Sequence, residues 1–437
     1  MPLNKTPRHR PRPPRPPRLR PLWRPWLYVV PLAACLLAAG ATAAIGAATA
    51  PAASPSPSLT CQAGGPVPCY SPQEYQMTYG VAPLLRRGIN GRGETVVVGP
   101  EPAASPSPHG PADIRKDLAY FDKMFAQPPA RLKVVNVAKS KTPYLAGSEE
   151  LGDTEMVHAF APAATLDVIL MPKDIATSLP SAIAAITKTI QEGVALHAAV
   201  VSISFSPGEH SLTRTEAAAM HTALEQARDQ HVTVIGSSGD AGAISSHEGP
   251  PVQVNMPASD PLALGVGGTI LDATPADRYL GEMAWNDNTD ASGGGYSTLW
   301  ARPSYQDGLT RARATRGVPD VSANADPDTA MATVDSSGQL SPDSGTSSSA
   351  PLWAGVIALA DQEAGRPLGF VNPALYAVAR SWAYHRAFHD VVTGDNSILW
   401  TTGVYVGYTA GPGWDPVTGL GSPDAQYLVP LLARAAR

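Results

Sequence analysis

Short apolar runs punctuate the first half of the chain. Val96 to Val98, Leu166 to Leu170, Val200 to Ser204 and Val232 to Ile235 are too short for helices, and most are rich in β-branched residues, so they predict buried strands. Between them, Asp113 to Phe125, Glu149 to Ala161, Ser181 to Glu192 and Thr215 to Gln230 predict helices. Strand and helix in alternation predict an α/β fold, a parallel sheet flanked by helices on both faces. Further on, Leu352 to Leu359 predicts the core face of another helix, and no internal repeat interrupts the pattern.

Candidate chemistry sits at the ends of these elements. Ser344-Gly345-Thr346-Ser347-Ser348-Ser349-Ala350-Pro351 is a small-residue turn running straight into an apolar helix. It seats Ser347 at a helix N-terminus, where free backbone N–H groups favour a developing oxyanion. Ser347 is thus a candidate nucleophile, while a plain Ser/Gly loop remains the alternative. Its base is not a histidine of the subtilisin pattern. The strand at Val96 to Val98 leads into Gly99-Pro100-Glu101 without an aspartate, and His109-Gly110, followed by Pro111-Ala112, opens no helix. Carboxylates stand there instead. Ser148 is the expected N-cap of a helix on which Glu149 and Asp153, four apart, share one face. Asp240 falls in the Gly-rich turn Gly236 to Gly242 after an apolar strand, where it acts in catalysis or satisfies its own turn.

The three segments together resemble the sedolisins, the serine-carboxyl peptidases. That family's pattern is Glu-x-x-x-Asp on one helix, Gly-Asp-x-Gly after a strand, and Ser-Gly-Thr-Ser opening another helix. The resemblance runs from about Cys69 to Arg437 and takes in Gly265 to Thr269, Gly293 to Ser297 and Gly317 to Ser322. It implies a subtilisin-like fold and peptide hydrolysis in acid. Ser347 would be the nucleophile, Glu149 the general base, Asp153 the carboxylate that supports it and Asp240 the oxyanion-hole acid. A catalytically silent binding protein on the same scaffold, or an esterase or acyltransferase using the same serine, are the alternatives. Two departures stand out. The family's long prodomain has no counterpart between Ala50 and Cys69, so a catalytic domain without it is expected; and Phe205 stands where the family usually has Trp or Tyr, with Ser206-Pro207 where it has a glycine, at the strand end that borders the first specificity pocket.

The resemblance extends to a calcium loop. Phe388 to Gly394 and Ala410 to Gly421 match it, with Asp390 and Asp415 as carboxylate ligands and the main-chain carbonyls of Val391, Gly411 and Gly413 completing an all-oxygen set suited to one Ca2+. His389 is read as packing, since calcium prefers oxygen to imidazole.

Composition adds the setting. Met1 to Arg24 carries seven arginines, one lysine and no acid, and Pro25 to Ala50 is uncharged and apolar. A basic end followed by such a span predicts a signal peptide or, with slight preference, an uncleaved transmembrane anchor over 26–50, with the enzyme outside the cell. A Pro/Ser/Ala linker over 51–68 then leads to a peptidase domain over 69–437. After Arg24 the chain has 24 basic and 37 acidic residues, which argues against a nucleic-acid partner. Polypeptide substrates and a monomer are expected. In an oxidising compartment Cys61 and Cys69 are expected to pair.

Overall fold

The computed structural model describes residues 58–435, apart from 63–64, 100–112, 137–146, 171–177, 246–248, 274–277 and 336. The basic segment, the apolar span 26–50 with Cys35, Glu101 and His109-Gly110 lie outside the described residues. Among those described, no helix is long and apolar enough to cross a membrane.

The central sheet contains β1 (Thr95–Val98), β2 (Arg131–Asn136), β3 (Thr165–Leu170), β4 (Val200–Ile203), β5 (Thr233–Ser237), β6 (Leu264–Ala273), β7 (Tyr279–Ala284) and β8 (Val321–Asn324). Their order is β8-β6-β5-β4-β1-β3-β2, all parallel, with β7 antiparallel to β6. Alternate side chains of these strands enter two separate cores. Val96, Val98, Leu166 and Val168 point into one, while Val97, Ile169, Val201 and Ile203 point into the other. Burial on both faces is why the strands read as continuous apolar runs.

Helices α1 (Ile114–Met124), α2 (Ser148–Phe160), α3 (Leu179–Ala195), α4 (Arg214–Asp229), α5 (Thr346–Ala364) and α6 (Ala425–Ala435) cover the sheet. Ile183 and Ile186 of α3 and Met220 and Leu224 of α4 fill the second core; Met156 and Val157 of α2 and Leu352, Val356 and Leu359 of α5 fill the first. Helices therefore lie on both faces, as the alternation predicts. The four predicted helices each match an observed one to within two or three residues at their ends.

Two local expectations change. Gly147, not Ser148, is the N-cap of α2, because the Glu150 carboxylate reaches back to accept from the Gly147 N–H at 2.7 Å. Leu59–Gln62 and Pro66–Cys69, read mostly as linker, pair as antiparallel strands tied by the Cys61–Cys69 disulfide with a Cα–Cα distance of 5.9 Å. A second hairpin, β9 (Met331–Val334) with β10 (Leu340–Asp343), has no apolar signature and delivers the chain into α5.

Candidate active site

The carboxyl ends of β4 and β5 and the first turns of α2 and α5 converge on one cleft of about 240 Å³, lined among others by Glu149, Ser204, Phe205, Asp240, Asp290 and Ser347. All four predicted catalytic residues are gathered in or directly behind it. Ser347 is the second residue of α5, following the N-cap Gly345. Gly345 has φ +88, a conformation an L side chain rarely adopts. A Cβ there would stand 2.8 Å from Asp240 Oδ2 and 3.0 Å from Ser347 Oγ. The absence of that carbon is what lets acid and serine face the same small volume.

Asp240 is not merely a turn residue. Its Oδ1 accepts from the Thr346 N–H at 2.8 Å and the Thr346 hydroxyl at 2.7 Å, and that hydroxyl accepts from the Gly239 N–H at 3.0 Å. The turn after β5 is thereby latched to the first residue of α5, which aims Oδ2 past Gly345 toward Ser347.

Asp153 lies one helical turn beyond Glu149 and is 2 % exposed. Burial first, then the neighbouring charges of Glu149 and Asp343, push its carboxyl well above the usual range. Ser204 Oγ is 2.6 Å from Asp153 Oδ2 and 3.1 Å from the Ser347 carbonyl oxygen. A hydroxyl has one proton, so both contacts are hydrogen bonds when Asp153 carries a proton and donates it to Ser204. Ser204 thus links the acid helix to the serine helix. In the sequence Ser204 only ends a predicted strand, because its two partners are 51 and 143 residues away.

Asp290 is a further lining acid that sequence reasoning missed. It follows β7 in a polar loop with no periodic signal, and burial followed by the charges of Asp287 and Asp240 raises its pKa. Phe205 is buried and lines the cleft, so the departure at this position falls within it.

The two loops that carry the five predicted calcium ligands are joined by hydrogen bonds. Asp390 accepts from the Gly413 N–H with both oxygens at 3.1 Å. Asp415 accepts from Val417 and Thr418 N–H through Oδ1 and from the Gly411 N–H through Oδ2. Thr418 Oγ1 joins Asp415 Oδ2 at 3.0 Å to the Val391 carbonyl at 3.4 Å. Asp415 is fully buried, and burial pushes its pKa up to about 6. A hard divalent cation would offset that cost, so the oxygen set is compatible with calcium. His389 stacks on Tyr279 with ring centroids 3.6 Å apart and burial pulls it down to about 4, in keeping with packing.

A parallel sheet covered on both faces, with a serine opening a buried helix at the sheet's carboxyl end, is a subtilisin-like arrangement. The chain matches Peptidase_S8, the subtilase family, over residues 145–378. It is 37% identical to kumamolisin of Bacillus sp. (strain MN-32), a match spanning 66% of this chain and 51% of that protein. With human tripeptidyl-peptidase 1 it shares 32% identity over 53% of this chain and 43% of the relative. Pseudomonas sedolisin, a serine-carboxyl proteinase solved with two molecules of pseudo-iodotyrostatin, superposes with a TM-score of 0.69 at 26% identity, over 82% of this chain and 96% of that one. The chain belongs to the subtilase family, in its sedolisin branch. It spans about half the length, or less, of the curated relatives it matches.

Proposed function

We propose that the protein is a serine-carboxyl endopeptidase that cleaves polypeptides in acid. The observation that carries this reading is the convergence of Ser347, Glu149 and Asp240 in one cleft with Asp153 buried directly behind. Ser347 Oγ attacks the scissile carbonyl carbon and its proton passes to Glu149. The carbonyl oxygen becomes an oxyanion facing Asp240, which must be protonated to donate to it; an ionised Asp240 would repel the same charge. Glu149 then returns the proton to the leaving amine, and the C–N bond breaks to leave an acyl ester on Ser347. Water, deprotonated by Glu149, hydrolyses the ester and restores the serine.

Acid suits this chemistry. A lone glutamate is a weak base for serine, but a carboxyl pair one turn apart on a buried helix shares a proton and splits its apparent pKa values. Asp153, pushed up by burial and by Glu149, holds the shared proton and leaves Glu149 as the acceptor. One Ca2+ held by Asp390, Asp415 and the carbonyls of Val391, Gly411 and Gly413 would brace the C-terminal loops without taking part in the reaction. The acidic domain and its Cys61–Cys69 bridge are consistent with an exported enzyme, at the cell surface if the apolar span is retained or released if it is cleaved.

The test is to trap the acyl-enzyme. At mildly acidic pH, a slowly hydrolysed peptide ester should add its acyl mass to the proteolytic fragment containing Ser347, and Ser347→Ala should remove the adduct. An adduct on any other residue, or none from a folded protein that does cleave the peptide, would refute the assignment.

A further inference from the structure

Asp343 ends β10, four residues before Ser347, and its carboxyl occupies the space that a side chain on Gly152 would fill. A Cβ on Gly152 would lie 2.6 Å from Asp343 Oδ1 and 3.1 Å from its Cγ. Gly152 immediately precedes Asp153 on α2, so the carboxyl rests against the helix that carries the base pair. Asp343 Oδ2 is shut off from solvent and has no hydrogen-bond partner. Such an orphan is costly in ionised form unless a cation neutralises it.

Among the described residues, the surroundings supply no cation. From α2 come Glu149, Glu150, Asp153 and Glu155; its one base, His158, is turned to Asp122 of α1 at 2.8 Å. The helix Pro72–Thr78 contributes Tyr75, and α5 contributes the Ser348 hydroxyl. The paired strand β9, Met331 to Val334, and the neighbouring strand Leu59–Gln62 carry no titratable group other than the disulfide-bonded Cys61, and the turn Pro327–Thr329 adds only Asp328. Burial, offset in part by Ser348, pushes Asp343 up to about 7, and its charge acts in turn on Asp153 and Glu155.

We propose that Asp343 is a positioning residue of the catalytic site, a carboxyl seated over Gly152 that joins the proton inventory of the Asp153–Glu149 pair and sets the upper pH limit of turnover. The inference rests on the peptidase reading above. In acid Asp343 is protonated and exerts no charge. As the pH approaches 7 it ionises beside Asp153, and the added negative charge makes the pair hold its shared proton more tightly. The active, singly protonated pair therefore survives to higher pH than it would alone. At low pH, where the pair takes up a second proton, Asp343 is neutral and has no influence.

The experiment compares kcat/KM from pH 3 to 9 for the wild type, Asp343→Asn and Gly152→Ala, with Ser347→Ala as the zero, and follows thermal unfolding of the same proteins across that range. Asp343→Asn keeps the shape and removes the charge. Its alkaline limb should move to lower pH by on the order of one unit while its acid limb stays in place. Gly152→Ala, whose new carbon displaces the carboxyl from Asp153, should shift the alkaline limb in the same direction. The unfolding temperature of Asp343→Asn should fall less than that of the wild type between pH 4 and 7, since a buried acid no longer has to ionise. A drop in kcat/KM at every pH with both limbs unmoved would mark a purely structural residue and overturn the proposal. If the wild type cleaves nothing, the peptidase reading fails and the proposal falls with it; if it cleaves peptide and the Asp343→Asn limbs and unfolding slope match the wild type, the proposal alone is overturned.

Discussion

A single missing carbon at Gly345 decides whether the nucleophile and the oxyanion acid can share a cleft. Its φ of +88 and the 2.8 and 3.0 Å approaches of Asp240 and Ser347 to the vacant Cβ position leave no room for alanine. Gly345→Ala should cost about 1–3 kcal/mol of stability from backbone strain and lower kcat by at least 100-fold, because Asp240 and Ser347 must separate. Parallel unfolding and kinetic measurements check it; a variant of normal activity would mean the two groups do not act on one reacting centre. At this scale the chemistry was legible where it was local. Glu149 and Asp153 are one helical turn apart and Ser347 opens an apolar helix, so spacing marked them as candidates, and the resemblance to the sedolisins implied their roles. Ser204, Asp290 and Asp343 were not legible, because what gives each a role is a partner reached only through the fold, as with Asp343 and Gly152 across 191 residues.

Elements differ in how openly they announce themselves. The strands β1, β3, β4 and β5 are buried on both faces and therefore show as apolar runs, and the helices beside them show their periodicity. β6 and β8 lie in the same sheet but read Leu-Gly-Val-Gly-Gly-Thr and Val-Ser-Ala-Asn; close packing against neighbouring chain selects small residues there and erases the apolar pattern. The hairpin β9–β10 likewise carries Thr, Ser and Asp, since its task is to deliver Asp343 and Ser344 to the serine turn. The C-terminal loops are a different case. If they hold the proposed Ca2+ beside the buried Asp415, removing calcium with a chelator should lower the unfolding temperature by several degrees, and re-adding Ca2+ but not Mg2+ should restore it. A melting curve indifferent to chelation would remove calcium from the account.

Among the described residues, several interior acids have no cation among the charges that act on them. Asp153, Glu155 and Asp343 are all raised by burial, Asp343 to about 7. Their folded pKa values exceed those of the unfolded chain, so the native state binds more protons between about pH 4 and 7 and stability falls as the pH rises through that window. Chemical denaturation across pH should therefore find the protein more stable near pH 4–5 than near pH 7; the reverse order would show that these acids are ionised in the native state. Structure and reaction would then favour the same conditions, a fold that holds its protons and a site that needs them. The most direct test of that claim is peptide cleavage by the purified protein from pH 3 to 8 beside Glu149→Gln. The account predicts a maximum in acid, lost by at least 1,000-fold in the variant, whereas turnover that peaks at alkaline pH or survives Glu149→Gln would contradict it.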